Sequence, residues 1–211
     1  MTPDEFVSFF GQVKASAILR TPSAEAAAPA MEAALRGGFK VIEFTLTIPN
    51  ALELIQEFSQ RPGVVVGAGT VLTTQDAEAA VKAGATCLVS PVVDEAVIDA
   101  AKSLDVAMMP GTHTPTEMLR AHRAGGQLQK LFPAPGLGAP YVTACLGPMP
   151  FLKIVPTNGV DADNVAEYLA AGAFAIGFVA PLFDAAAMAA GNYDSIEQRA
   201  RDLIAAVDAC R

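Results

Sequence analysis

Short β-branched or apolar runs alternate with alanine-rich amphipathic stretches along almost the whole chain, and this alternation limits the fold more than any single motif. Strand-like runs fall at Ser16–Arg20, Val41–Leu46, Val64–Val71, Cys87–Pro91, Val106–Gly111, Gln127–Pro133, Phe151–Thr157 and Phe174–Ala180. Helical stretches occupy 23–37, 50–60, 74–84, 94–103, 114–124, 138–146 and 161–171, with a last one from Ser195 to Cys210. Thr74 before Gln-Asp-Ala-Glu, Thr114-Pro115 and Asp161 are expected N-caps, because a hydroxyl or carboxylate there accepts from the free first-turn N–H groups. Glycines in Arg-Gly-Gly-Phe, Lys-Ala-Gly-Ala, Arg-Ala-Gly-Gly and Ala-Ala-Gly-Ala mark the stops. Strand and helix in strict alternation imply a parallel sheet, since parallel neighbours need a crossover and a helix supplies it. Eight units in 211 residues predict an α/β, single-domain (β/α)8 TIM barrel over residues 1–211, rather than an open doubly wound sheet. Gly67-Ala68-Gly69-Thr70 lacks the third glycine of a dinucleotide-binding turn, which weighs against the open-sheet alternative.

Composition narrows the function classes. With 52% hydrophobic and 17% charged residues, the chain has ample material for a core and is not intrinsically disordered. Asp and Glu total 22 against 14 Lys and Arg, a net charge of −8, which excludes the basic footprint of a nucleic-acid binder. No apolar run approaches the length of a membrane span, and Met-Thr-Pro-Asp-Glu-Phe at the N-terminus does not read as a secretory signal. Cys87, Cys145 and Cys210 are widely spaced and share no ligand pattern with His113 and His122, so reduced thiols, a cytoplasmic location and no bound metal are expected.

Polar residues inside strands carry the chemistry. In a barrel, side chains facing the helices should be apolar, whereas inward side chains near the strand C-termini meet substrate. Ile42, Phe44 and Leu46 form one face of their strand, leaving Glu43, Thr45 and Thr47 to point inward. Of the six lysines, Lys14, Lys40, Lys82 and Lys102 fall in loops or helices, and only Lys130 and Lys153 interrupt strands. Lys130 alternates with Leu128 and Phe132 toward the C-terminal mouth; Lys153 sits earlier in its strand, toward the bottom or the outer face. Burial lowers a lysine pKa by stripping water from the ammonium, and a neutral amine attacks a ketone to form a Schiff base. Lys130 is therefore the better nucleophile. Arg20, Thr70, Pro91, and Thr157-Asn158-Gly159 end other strands and offer a fixed guanidinium, hydroxyls and backbone N–H groups to an anionic substrate. His113, on a loop of the same face, reads as a supporting loop residue rather than a catalytic base.

At these residues the chain resembles the class I 2-keto-3-deoxy-6-phosphogluconate and 6-phosphogalactonate aldolase family. The resemblance runs from about Ala17 to Ala206, through Ala-Ile-Leu-Arg (17–20), Val-Ile-Glu-Phe-Thr-Leu (41–46) and Val-Gly-Ala-Gly-Thr-Val-Leu (66–72). Ser-Pro (90–91), Met-Pro-Gly-Thr (109–112), Lys-Leu-Phe-Pro-Ala (130–134) and Val-Pro-Thr-Asn-Gly-Val (155–160) follow in the family's order. What it implies is a homotrimeric barrel, without metal or cofactor, that cleaves a 2-keto-3-deoxy acid to pyruvate and an aldehyde. It implies Lys130 as the Schiff-base lysine and Glu43 as the general acid/base. Thr70 and Pro91 then line the pyruvate end, Phe132 packs beside the imine, and Thr157 and Gly159 reach the far end of the substrate.

Two positions depart from the family. Thr47 stands where many phosphogluconate aldolases place an arginine, and Arg20 resembles the arginine of the phosphogalactonate branch. Asn158 and Val179-Ala180 replace the Gly and Gly-Ser of the phosphate end, which removes part of an anion nest. Cleavage of 4-hydroxy-2-oxoglutarate, with oxaloacetate decarboxylation as a side reaction, is the alternative within this chemistry. A sugar-acid-binding barrel that has lost turnover is the alternative of another class. A phosphosugar isomerase or epimerase would have no use for a buried Schiff-base lysine.

Overall fold

The computed structural model describes residues 1–134 and 136–211. Its elements run α1 (Pro3–Val13), β1 (Ala15–Leu19), α2 (Ala24–Arg36), β2 (Val41–Thr45), α3 (Ala51–Ser59), β3 (Val65–Gly69), α4 (Thr74–Lys82), β4 (Cys87–Val89), α5 (Glu95–Ser103) and β5 (Ala107–Met109). There follow β6 (Gly111–Thr112), α6 (Pro115–Ala124), β7 (Gln129–Leu131), α7 (Ala139–Leu146), β8 (Ile154–Pro156), α8 (Val165–Ala170), β9 (Ile176–Phe178), α9 (Ala185–Ala189) and α10 (Tyr193–Asp208). All ladders are parallel, as the crossover helices require. This is an α/β fold whose parallel sheet curls around its inward side chains.

The strands form a six-stranded sheet, β5-β4-β3-β2-β1-β9, and a three-stranded one, β6-β7-β8. The expected single strand over Val106–Gly111 is thus two short strands, one in each sheet. Pro110 is the cause: it has no N–H to give a ladder, so pairing stops there and resumes on the other neighbour. The seams still carry backbone bonds. Lys130 donates to Pro110 O (2.9 Å), and Thr157 bridges Gly177 in parallel sense.

Two apolar layers explain the curl. Outward side chains such as Leu19, Ile42, Phe44, Val66, Leu88, Met108, Ile154 and Phe178 pack against the helices, with Phe44 edge-on to Phe58 (5.1 Å between centroids). Inward residues near the strand N-termini, among them Val41, Val65, Cys87, Ala107, Leu128, Val155 and Ala175, form a second cluster closed by Phe6 and Phe10 of α1. The interior is therefore filled and plugged at that end, and only the C-terminal ends are open to chemistry.

Helix α1 is absent from the sequence expectation. Its signals are local: a Thr2/Glu5 capping box around Pro3, and Phe6 and Phe10 one turn apart on the buried face. Two caps also differ from expectation. Thr73, not Thr74, caps α4, because it is Thr73 that pairs reciprocally with Asp76. Asp161 accepts from the N–H groups of Asp163 and Asn164 in a preceding turn, and α8 begins only at Val165, after Asn164. Lys14, expected in solvent, is half-buried and donates to Phe174 O (3.4 Å).

The plug yields a test of this packing. Phe10 is fully buried against Phe6 and Phe174. Phe10→Ala is expected to destabilise the chain by about 3–5 kcal/mol in urea unfolding, without altering substrate affinity at the opposite end.

Candidate active site

Strand alternation delivers Glu43 to the interior. Ile42 and Phe44 belong to the helix-facing core, so Glu43 and Thr45 between and beyond them face inward and are almost fully buried, Glu43 at 3% exposure. Lys130 arrives in the same way. Leu131 faces the helices, Leu128 lies in the inner cluster, and Lys130 points inward at 5% exposure.

The backbone of Lys130 is held from both sides. Its N–H donates to Pro110 O, its carbonyl accepts from Thr112 Oγ1 (3.0 Å), and Phe132 N–H donates to Thr112 O (3.0 Å). The neighbouring Gln129, wholly buried, donates to Gly126 O (3.0 Å) and accepts from the Lys153 N–H (2.9 Å). Lys153 itself precedes β8 and is half-buried, at the end of the strand remote from the mouth. The choice between the two strand lysines thus rests on depth along the strand.

A cavity of about 140 Å³ opens at the mouth, lined by Ile18, Arg20, Lys130, Phe132, Thr157, Asn158 and Val179. The Lys130 Nζ stands 5.2 Å from the centre of the Phe132 ring, at cation–π range. Arg20 is exposed at the rim and donates through Nη2 to Thr70 Oγ1 (3.3 Å), with Thr70 in the left-handed region (φ 61°). Arg20, Lys130, Phe132, Thr157 and Asn158 are therefore gathered at one opening, and Thr70 joins them through Arg20. Glu43, Thr47, Pro91 and Gly159 are not part of that lining; Glu43 lies deeper, above the inner cluster of Phe6, Phe10, Val41 and Cys87. Thr47 is exposed beyond the end of β2 and shares a hydrogen bond with Thr45 (2.9 Å). Pro91 abuts the backbone of Gly111, and Gly159 is exposed in the loop beyond Thr157. His113 ties two loops beside the mouth: its Nδ1 lies 3.1 Å from Pro133 O, and its carbonyl accepts from Tyr141 Oη (2.7 Å).

Ile18 and Val179 complete the lining; Val179 was expected at the distal end of the substrate, Ile18 was not expected at the site. Ile18 is flanked by apolar Ala17 and Leu19, but its alternation with Ser16 and Arg20 marks the inward face. Val179 follows β9 by one residue, the same depth at which Thr70 follows β3.

Burial moves both ionisable groups toward their neutral forms. It raises the Glu43 carboxyl above its ordinary range, against the opposing charges of Lys130 and Arg20. It lowers the Lys130 amine; the Glu43 carboxylate works against that shift, and Arg20 adds to it. Glu43 Oε1 is buried and receives no hydrogen bond from the described residues. The Cys87 thiol, buried in the inner cluster near these charges, is pushed well up by burial and stays protonated. Among the described residues no three His, Cys, Asp or Glu side chains are grouped to hold a metal, and no helix is long and apolar enough to cross a membrane.

A largely desolvated amine at the C-terminal mouth of curled parallel strands, coupled by charge to a carboxylate buried deeper in the same interior, is the equipment of a lyase working through a Schiff base. Comparison with known proteins points the same way. The pattern of the family described as "KDPG and KHG aldolase" matches residues 8–199, and the chain belongs to that family of aldolases. A protein of Rhizobium meliloti (strain 1021) described as "Probable 2-dehydro-3-deoxy-6-phosphogalactonate aldolase" is 38% identical over 196 residues, covering 92% of this chain and 91% of its own. Among solved structures, "Native KDPGal structure" superposes with a TM-score of 0.85 at 27% identity, over 93% of this chain and 95% of that one. A KDPG aldolase from Legionella pneumophila, "with pyruvate captured at low pH as a covalent carbinolamine intermediate", has a TM-score of 0.84 at 26% identity, over 93% and 97% of the two chains. The chain is a Schiff-base, pyruvate-forming aldolase.

The charge coupling predicts opposite shifts from two substitutions. Glu43→Gln removes the charge that favours the ammonium form, so the pH at which Lys130 becomes reactive falls. Arg20→Met removes a cation that disfavours it, so that pH rises, and the Glu43 carboxyl rises further as well. The pH dependence of the rate of borohydride trapping with pyruvate reads both.

Proposed function

We propose that Lys130 is the Schiff-base nucleophile and Glu43 the general acid/base in the cleavage of a 2-keto-3-deoxy sugar acid to pyruvate and an aldehyde. The burial of the Lys130 amine at the mouth, with the Glu43 carboxylate buried on the inward face of the neighbouring sheet and coupled to it by charge, is the observation that carries this reading. Neutral Lys130 attacks the C2 ketone to give a carbinolamine, and loss of water leaves an iminium. Glu43, acting through a water, takes the proton of the C4 hydroxyl. The C3–C4 bond breaks, its electron pair moves into the iminium to form an enamine, and the aldehyde departs. Protonation at C3 and hydrolysis release pyruvate and restore the amine. Nothing in this sequence calls for an external cofactor. Arg20, anchored on Thr70, supplies a guanidinium for a substrate carboxylate. Phe132 covers the imine, Thr157 and Asn158 meet the distal end, and Thr70 borders the pyruvate side through Arg20; Thr47, Pro91 and Gly159 stand outside this cavity on loops of the same C-terminal face and would serve only a substrate that reaches beyond it.

Several features support the wider reading of residues 1–211 as one closed (β/α)8 domain. The chain runs through Pro110 from one sheet into the other, and the Thr157–Gly177 bridge spans the second seam. Exposed Leu72 and Val92, on the loops after adjacent strands β3 and β4, favour a homotrimer buried on that side of the mouth. Free thiols at Cys87, Cys145 and Cys210 suit a reducing cytoplasm. Val179 at the cavity wall, with Ala180 beside it, means that the loop after β9 offers the distal end no side-chain hydroxyl, which favours a substrate without phosphate.

Borohydride reduction with pyruvate, followed by peptide mapping, is expected to place the adduct on Lys130; an adduct on Lys153 would overturn the assignment. Glu43→Gln is expected to retain trapping and lose cleavage. The unphosphorylated substrate should have the higher kcat/KM, and Val179→Gly with Ala180→Ser should raise kcat/KM for the phosphorylated one by about 10- to 100-fold, the value of restored hydrogen bonds to a charged group. Sedimentation equilibrium should give three chains per particle, and Leu72→Asp should shift it toward monomer.

A further inference from the structure

We propose that Gly69 is the positioning residue for the Glu43 carboxylate, which lies in the space that any side chain at position 69 would fill. The inference rests on the reading of Glu43 as the proton-transfer group and adds what places it. Gly69 is the last residue of β3, and an ordinary strand residue should be favoured there over glycine, which packs nothing and costs backbone entropy. Its backbone does not require glycine either, since its φ lies outside the left-handed region. Space is the remaining reason. A Cβ on Gly69 would stand 1.9 Å from Glu43 Oε1, 2.7 Å from Cδ and 3.0 Å from Cγ.

The direction of the side chain follows from the register. Glu43 pairs across the sheet with Gly67, while Gly69 pairs with Thr45, two residues nearer the mouth. A Cβ at Gly67 would meet nothing of Glu43; its nearest neighbour is Cys87 O at 3.3 Å. The carboxylate therefore leans up its neighbouring strand toward the mouth rather than straight across. No hydrogen bond to Glu43 Oε1 holds it in that attitude. The hollow over Gly69 is what admits it, with Lys130 and Arg20 as the nearby positive charges.

A carboxylate at the end of a flexible side chain yields before a strand does. Gly69→Ala is thus expected to leave the fold intact and move the catalytic oxygen instead. The Schiff base does not need that oxygen, so trapping of pyruvate on Lys130 should persist. Cleavage should fall, with kcat lowered about 100-fold, as is usual when a reacting group is displaced by about 1 Å, and with KM little changed.

The decisive experiment is a set of variants measured for kcat, KM and pyruvate trapping. In a Glu43→Gln background, Gly69→Ala should cost nothing further, because the effect runs through the carboxylate. Glu43→Asp with Gly69→Ala should lose less than the product of the two single losses, since the shorter acid fits beside the added methyl. If Gly69→Ala alone fails to accumulate, the same Glu43→Asp pairing should restore soluble protein. Gly69→Ala activity indistinguishable from the unmodified chain would overturn the proposal. So would strictly multiplicative losses, or an undiminished effect of Gly69→Ala in the Glu43→Gln background. Full cleavage by Glu43→Gln alone would instead remove Glu43 from the mechanism, an outcome distinct from these.

Discussion

Withdrawal of an amine and a carboxylate from water, on the inward faces of two parallel sheets joined along their seams, is the constraint to which the rest of the molecule answers. Each of these groups favours its charged form in solvent, and each is moved toward the neutral form by burial. Their mutual attraction limits the shift but does not cancel it. A neutral amine is a nucleophile, and burial enlarges its share at a given pH; a carboxyl whose pKa is raised keeps its proton to higher pH and can return it. Both properties come from the environment, because Lys130 and Glu43 have no unusual chemistry of their own.

Holding two such groups requires a rigid and dry frame. Parallel strands supply it by setting Cβ directions in strict alternation, so that one side of β2 packs on α3 while the other presents Glu43. Closure of the lower end by Phe6 and Phe10 removes the route by which water would reach the buried pair from below. Backbone bonds from Pro110 and Thr112 fix Lys130 on one side, and the Gln129 clasp fixes the start of its strand on the other. Function therefore depends on packing some distance from the reacting atoms. The inner cluster excludes solvent, the outer layer fixes the strands, and the mouth is left for substrate.

Much of this was legible residue by residue. Periodicity located Glu43 on the inward face of its strand, because flanking Ile42 and Phe44 had to face the helices. It also separated Lys130 from Lys153 by depth. Arg20, Thr157 and Asn158 stood at strand ends and did meet at one cavity. Pro91 and Thr47 stood at strand ends as well, yet lie away from that lining, because a strand end specifies height and not the direction in which the following loop leaves. Helix α1 lay outside the alternation of strand and helix, because it precedes the first strand, though its capping box and the Phe6/Phe10 spacing are plain. The break at Pro110 was readable in principle from the missing N–H, but which neighbour each half would pair with was not.

The amino-acid sequence by itself determined the alternation of strand and helix, the parallel sense of pairing, and the inward placing of Glu43 and Lys130. These are consequences of period and residue type, which are local. Tertiary structure alone decided that Glu43 leans along β3 over Gly69, that Arg20 anchors on Thr70, that α1 plugs the interior and that Val179 closes one side of the mouth. Each of these joins residues far apart in the chain. Their distances depend on sheet curl and strand register, which emerge only when the whole set of strands is packed together.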